Sequence, residues 1–159
     1  MLRFASPSST ASTRLRGAAA IAAILLTSPG ATALAQTQGA DAIIGRWQTE
    51  KENGVVEIHR CGDALCGRVL DGAPLRANPD QRDVRNPDRS LRDRRVRGLR
   101  VLSGFTGGPS RWTGGPLYDP ESGDRASSGS LTLENANTLK VKGCIVGFLC
   151  RTQTWHRIR

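Results

Sequence analysis

From Ile43 to the C-terminus the sequence alternates apolar and polar residues in runs too short for a helix, and turn residues divide these runs at close intervals. A period of two puts every second side chain on one face of an extended strand, so each run predicts a strand with one buried face. Val55 to Arg60 is the clearest, with Val56 and Ile58 opposite Glu57 and His59. Ile43 to Thr49, Leu65 to Leu70, Gly98 to Phe105, Trp112 to Tyr118, Ser127 to Glu134, Thr138 to Gly143 and Arg151 to Ile158 bring the count to about eight. Asn53-Gly54, Thr106-Gly107-Gly108-Pro109, Asp119-Pro120-Glu121-Ser122-Gly123 and Asn135-Ala136-Asn137 supply the turns, because Gly and Asn tolerate positive φ while Pro fixes φ. No stretch has the period of an amphipathic helix of ordinary length. The expected fold class is all-β, with about eight short antiparallel strands in a sandwich or barrel, and a closed barrel has the merit of leaving no unpaired edge.

One segment breaks the pattern. From Asp71 to Arg97, Pro74, Pro79 and Pro87 interrupt any periodicity, which predicts a long loop with room for one helical turn. Eight arginines and three aspartates lie between Arg82 and Arg100, so the basic character of the chain is concentrated here.

The N-terminus has a different character. Arg3, Arg14 and Arg16 precede a short apolar run, Gly17 to Leu26, and Ala33-Leu34-Ala35 offers a small-residue cleavage site. This is the pattern of a cleavable Sec-type signal peptide over residues 1–35. The run falls short of the roughly 20 apolar residues that span a bilayer, and no second apolar stretch follows. The expected products are a flexible lead-in, 36–41, and one domain, 42–159, in the periplasm or outside the cell. Beyond residue 35 the chain has 20 basic against 14 acidic residues, which favours acidic partners without naming one. All four cysteines lie in this part as two close pairs, Cys61 with Cys66 and Cys144 with Cys150. An even count in an exported chain argues for disulfides. The alternative is zinc, for which the Cys-x4-Cys and Cys-x5-Cys spacings are loose. A Cys61–Cys66 bond would pin the register of the hairpin around it.

Several strings resemble a known family. They are Gly45-x-Trp47; Val56-Glu57-Ile58 with Cys61 and Leu65-Cys66-Gly67; Asn86-Pro87-Asp88; Gly98-Leu99; Trp112-x-Gly114-Gly115-x-Leu117-Tyr118-Asp119-Pro120-x-x-Gly123; Leu139 to Cys144; and Thr152-Gln153-Thr154-Trp155. Together they resemble the bacterial family catalogued as domain of unknown function 2147, over nearly all of 42–159. That family's pattern usually continues after the last glycine with a Lys-Thr-Tyr-like run, where this chain has Asp124-Arg125-Ala126. The resemblance implies a small exported protein and transfers no catalytic residue. A second resemblance lies at the level of fold: Gly45-x-Trp47 on the first strand and a basic residue near the last are similar to the lipocalin or calycin barrel. There an Arg covers a Trp at the barrel base, a pair that joins guanidinium–indole attraction to packing of the arginine stem.

Candidate ligand-binding residues follow from these features. Arg94 and Arg95 represent the arginine-rich loop, whose guanidinium groups suit anionic oxygens. The competing assignment is a solvated loop in which Asp83, Asp88 and Asp93 pair with neighbouring arginines. Trp112, Tyr118 and Asp119 lie where the most distinctive string faces that loop, although the aromatics also serve as core filling. His59 and His156 show no ligand spacing for a metal, and Asp119 with Glu121 invites comparison with paired glycosidase carboxylates but fits an Asx-turn. No nucleophile elbow, phosphate loop or zinc-protease motif is present, and no cofactor is called for. The functional expectation is a non-enzymatic barrel that binds a small amphipathic or anionic envelope ligand. The alternative is docking of an acidic macromolecule through the arginine loop, with glycan hydrolysis third. Nucleic acid is the poorest partner, because the loop has no aromatics for base stacking.

Overall fold

The computed structural model describes residues 42–159; the expected signal peptide and lead-in lie outside the described residues. Ten strands follow one another: β1 (Gly45–Gln48), β2 (Val55–Cys61), β3 (Ala64–Asp71), β4 (Arg100–Gly107), β5 (Arg111–Gly114), β6 (Leu117–Tyr118), β7 (Arg125–Ala126), β8 (Ser128–Asn135), β9 (Thr138–Val146) and β10 (Leu149–Ile158). Helix among the described residues is limited to α1 (Ala73–Ala77) and one 3₁₀ turn, Arg89–Leu91. Strands β1, β2, β3, β4, β5, β8, β9 and β10 pair in that circular order, and β10 returns to β1, so eight antiparallel strands close a barrel. The all-β expectation and the closed barrel hold.

Two details of the expected strand map change. The single strand from Trp112 to Tyr118 is divided into β5 and β6, because the chain crosses a neighbouring strand closely at Gly114, where an added Cβ would lie 2.2 Å from the Gly104 carbonyl oxygen. Residues 144–150, which lie between the expected strands Thr138 to Gly143 and Arg151 to Ile158, are mostly strand. Strands β9 and β10 run into this segment from both sides, so the turn is only Gly147-Phe148, and Cys144 and Cys150 face each other across the ladder. Both expected disulfides are present, Cys61–Cys66 and Cys144–Cys150, and no described cysteine is free.

Alternate turns of such a barrel lie at opposite ends. The β2–β3, β4–β5 and β8–β9 turns define one end, here called the base. The β1–β2 turn, the long β3–β4 connection, the β6–β7 turn and the β9–β10 turn define the other, the mouth. The largest buried side chains lie towards the base: Ile43, Trp47, Ile58, Phe105, Trp112, Leu131 and Leu139 are all within 1% of full burial. The Trp47 indole N–H donates to the Ile43 carbonyl at 2.9 Å. Arg157 lies over the Trp47 ring, 4.2 Å from its centroid, and donates to the carbonyls of Ala42, Ile44 and Ala136. The aromatic–arginine pair expected at the barrel base is therefore formed. Gly45 makes room for it, since its φ is +136° and a Cβ there would lie 2.8 Å from an Arg157 terminal nitrogen.

Candidate functional site

Towards the mouth the packing stops short of filling the barrel. A cavity of about 220 Å³ remains, with a mostly apolar wall that includes Val56, Val69, Leu102, Leu117, Val141 and Trp155. The reason lies in the sequence. Trp47, Phe105 and Trp112 fill the base, whereas the mouth half has Trp155 and Tyr118 at its wall and otherwise mainly Val, Leu and Gly, which leave volume. The volume is below the ~300 to 1,000 Å³ of drug-sized pockets but above the ~150 Å³ that accepts a benzene-sized molecule.

The long β3–β4 connection packs over this opening. Leu75 and Val96 are buried and line the cavity from above. The connection is ordered by its own chemistry: Pro74 sits in the first turn of α1, Asp88 caps the 3₁₀ turn by accepting from the Ser90 backbone N–H, and the backbones of Arg82 and Arg95 pair in an isolated antiparallel bridge. Its main anchor is Asp83, which has no exposed surface. The Tyr118 hydroxyl donates to Asp83 Oδ1 at 2.5 Å, the Asn86 amide to Asp83 Oδ2 at 2.8 Å, and Arg94 pairs with the same Oδ2 at 2.8 Å. A buried carboxylate is tolerated when it is paired and hydrogen-bonded in this way. Burial, followed by the bond to Asp83, pushes the Tyr118 phenol up to about 12, so it stays a neutral donor. Arg94 and Arg125 lie beside its ring at 5.5 and 5.7 Å. Tyr118 thus joins the barrel to the arginine loop.

The rim is polar and more acidic than the charge of the whole chain suggests. Asp71, Asp119, Glu121 and Asp124 line it, against Lys51 and Arg151. Asp71 is held below the usual carboxylate range by its hydrogen bond to Arg76. Glu121 is pushed up, first by burial and then by the nearby charges of Asp119 and Glu52. Gln81, which faces both the cavity and an adjoining crevice, has a buried side-chain oxygen with no hydrogen-bond partner.

The structure separates the candidates named from sequence. Tyr118 and Asp119 line the cavity. Arg94 sits behind Tyr118 and is used by Asp83. Arg95 is exposed and pairs with Asp80 at 3.1 Å, away from the cavity wall. Trp112 is 1% exposed in the base-side core and does not line the cavity. Of the aspartate–arginine pairs expected in the loop, Asp83 makes one; the Asp88 carboxylate accepts from Ser90 instead, and Arg82 takes the Asp93 backbone carbonyl. The Asp119 carboxylate accepts from the Glu121 backbone N–H at 2.9 Å, as an Asx-turn requires. His59 lies half-buried in β2 and His156 exposed in β10, and no cluster of metal-ligating side chains occurs among the described residues. Sequence reasoning missed Gln81 and Asn86 as part of the site. Asn86-Pro87-Asp88 was visible only as a family string, because no local pattern tells a buried loop amide from an exposed one.

Comparison with known proteins agrees with this geometry. A family model described as "Uncharacterized protein conserved in bacteria (DUF2147)" matches residues 45–157. The chain belongs to this family. Among solved structures, this DUF2147 member is similar to the protein titled "Protein HP1028 from the human pathogen Helicobacter pylori belongs to the lipocalin family". The TM-score is 0.63 at 22% identity, and the match covers 73% of this chain and 82% of the other. At that identity the likeness establishes the fold, and the barrel is lipocalin-like. No curated protein matches the chain.

Proposed function

We propose that the protein is a non-enzymatic binding module of the bacterial envelope. The barrel takes up the apolar part of a small amphipathic ligand and leaves its polar group at the rim. The observation that carries this reading is the apolar cavity at the mouth of a barrel whose base is filled by buried aromatics. Folding alone gives no reason to fill one end with large aromatics and leave the other hollow, since unfilled apolar volume costs stability. Gln81 supports the reading as a buried acceptor that a hydroxyl or amide of a ligand would satisfy. The rim sharpens the ligand class. With Asp71 taken by Arg76, three carboxylates, Asp119, Glu121 and Asp124, face two cations, Lys51 and Arg151, which favours a neutral or cationic polar group over an anionic one. The engagement of Arg94 by Asp83 and of Arg95 by Asp80 points the same way.

The test is native mass spectrometry of the purified protein after exposure to envelope lipid extract. A 1:1 adduct that survives raised salt supports the module, and consistent recovery of empty protein contradicts it. Docking on an acidic macromolecule through the arginine loop would instead give a pull-down that weakens steeply with salt. Glycan hydrolysis through Asp119 would be dropped if Asp119→Ala left every measured activity unchanged.

A further inference from the structure

The β9–β10 turn carries an exposed apolar patch that neither the core nor the cavity explains. Phe148 is 91% exposed, Leu149 54%, Val146 50% and Ile145 41%, and these four are consecutive but for Gly147. Val84 is the one other large apolar side chain exposed to this degree among the described residues. Isolated exposed apolar residues are ordinary, but a contiguous cluster marks an interaction site. The patch is held in a fixed shape. Leu149 pairs with Val146, and the Cys144–Cys150 bond closes the ladder directly behind it. It also belongs to the mouth, because Ile145 and Arg151 line the cavity rim.

We propose that this turn inserts into the surface of an anionic lipid bilayer and so sets the barrel mouth against the membrane. Two observations choose a bilayer over a second copy of the chain. A stable dimer buries some 20 to 30 residues a side, and a protruding turn of four apolar residues offers far less. A bilayer needs only a small apolar wedge with basic flanks, the first entering the acyl boundary and the second meeting anionic headgroups. The flanks are present: Lys142 and Arg151 stand on the two strands just behind the patch and make no ion pair with the described residues. Arg125 is nearby, since Ala126 packs against Gly143. The mouth also carries the rim carboxylates Asp71, Asp119, Glu121 and Asp124. The β3–β4 connection at the same end has eight arginines against four aspartates over residues 72–99, an excess that offsets them and leaves Lys142 and Arg151 to supply the attraction. This docking does not depend on what the barrel holds.

The experiment uses the full chain with no added ligand and the substitution Phe148→Trp. Vesicles of phosphatidylcholine containing phosphatidylglycerol, with bromine on the acyl chains, quench an indole only when it enters the bilayer. The native Trp47, Trp112 and Trp155 are at most 5% exposed and serve as the internal control. The expected result is strong quenching of the introduced indole above the parent signal, weakened by at least tenfold in apparent vesicle affinity when Lys142 and Arg151 are both changed to Gln. Sedimentation should show a similar loss for Phe148→Ser with Leu149→Ser. Vesicle binding without quenching of the introduced indole would overturn the proposal, because another segment would then be making the contact. A concentration-dependent dimer abolished by Phe148→Ser, without vesicle binding, would overturn it in favour of self-association.

Discussion

The two ends of this barrel are built on opposite plans. At the base, Trp47, Phe105 and Trp112 fill the interior and Arg157 seals it, with its guanidinium spent on three carbonyls and an indole face. At the mouth, the wall is apolar but unfilled, the rim is acidic, and a separate connection is fastened over the opening through Asp83. Among the described residues each end holds one buried side-chain polar atom without a partner, Trp112 Nε1 at the base and Gln81 Oε1 at the mouth. The two disulfides follow the same division. Cys61–Cys66 braces a turn with the polar tip Gly62-Asp63 and a nearly buried sulfur, whereas Cys144–Cys150 braces the apolar tip Gly147-Phe148 in solvent. The base therefore serves stability, and the mouth carries features that stability does not require.

Substitutions at each end test this division. Asp83→Ala should have the largest effect. It leaves Arg94, the Tyr118 hydroxyl and the Asn86 amide without their shared partner, at a cost of about 3 to 5 kcal/mol. Hydrogen exchange should show the long connection losing protection while the β8–β9 end keeps it. A parallel loss at both ends would mean that the barrel is a single unit and that the comparison fails. Arg157→Ala should cost roughly 2 to 3 kcal/mol by chemical denaturation, from lost cation–π attraction and charge-assisted hydrogen bonds, without changing ligand uptake.

Replacing either cysteine pair by serine should cost about 2 kcal/mol by loop-closure entropy. The Cys61–Cys66 pair should cost the more of the two, because Cys66 is 2% exposed and serine would place a hydroxyl there. The smallest effect should come from Glu121→Gln, read as stability against pH. A carboxyl whose folded pKa is raised binds more protons folded than unfolded, so it favours folding below the ordinary carboxylate pKa. That contribution is lost as pH rises through the raised value. The glutamine variant should remove this decline and give a flatter profile on the acid side of neutrality.

Much of the fold was legible because strands announce themselves by period two. Val56 and Ile58, Leu131 and Leu133, and Leu139 and Val141 fall on the inner faces that their alternation indicates, and the short cysteine spacings agree with the bonds formed. The candidate site was legible in part. Tyr118 and Asp119 could be placed at the mouth because their string ends in a turn next to the arginine loop. The hollow itself could not be read, because it depends on how eight strands stagger around a shared interior and which side chains then meet. Asp83 was hidden for a related reason: among eight arginines an aspartate looks like one more surface partner, and only the three-dimensional approach of Tyr118 makes it the buried anchor.

The central claim is that the mouth-side cavity takes an apolar ligand. It is tested most directly by titrating the protein with a single-chain amphiphile of neutral headgroup, kept below its micellar concentration and followed by tryptophan fluorescence. Trp155 lines the cavity, while Trp47 and Trp112 do not. The expected result is saturable 1:1 binding whose signal disappears in Trp155→Phe, with affinity at least tenfold weaker in Val69→Phe, which places a ring in the cavity. Binding that does not saturate, or that is the same in Val69→Phe, would contradict the claim.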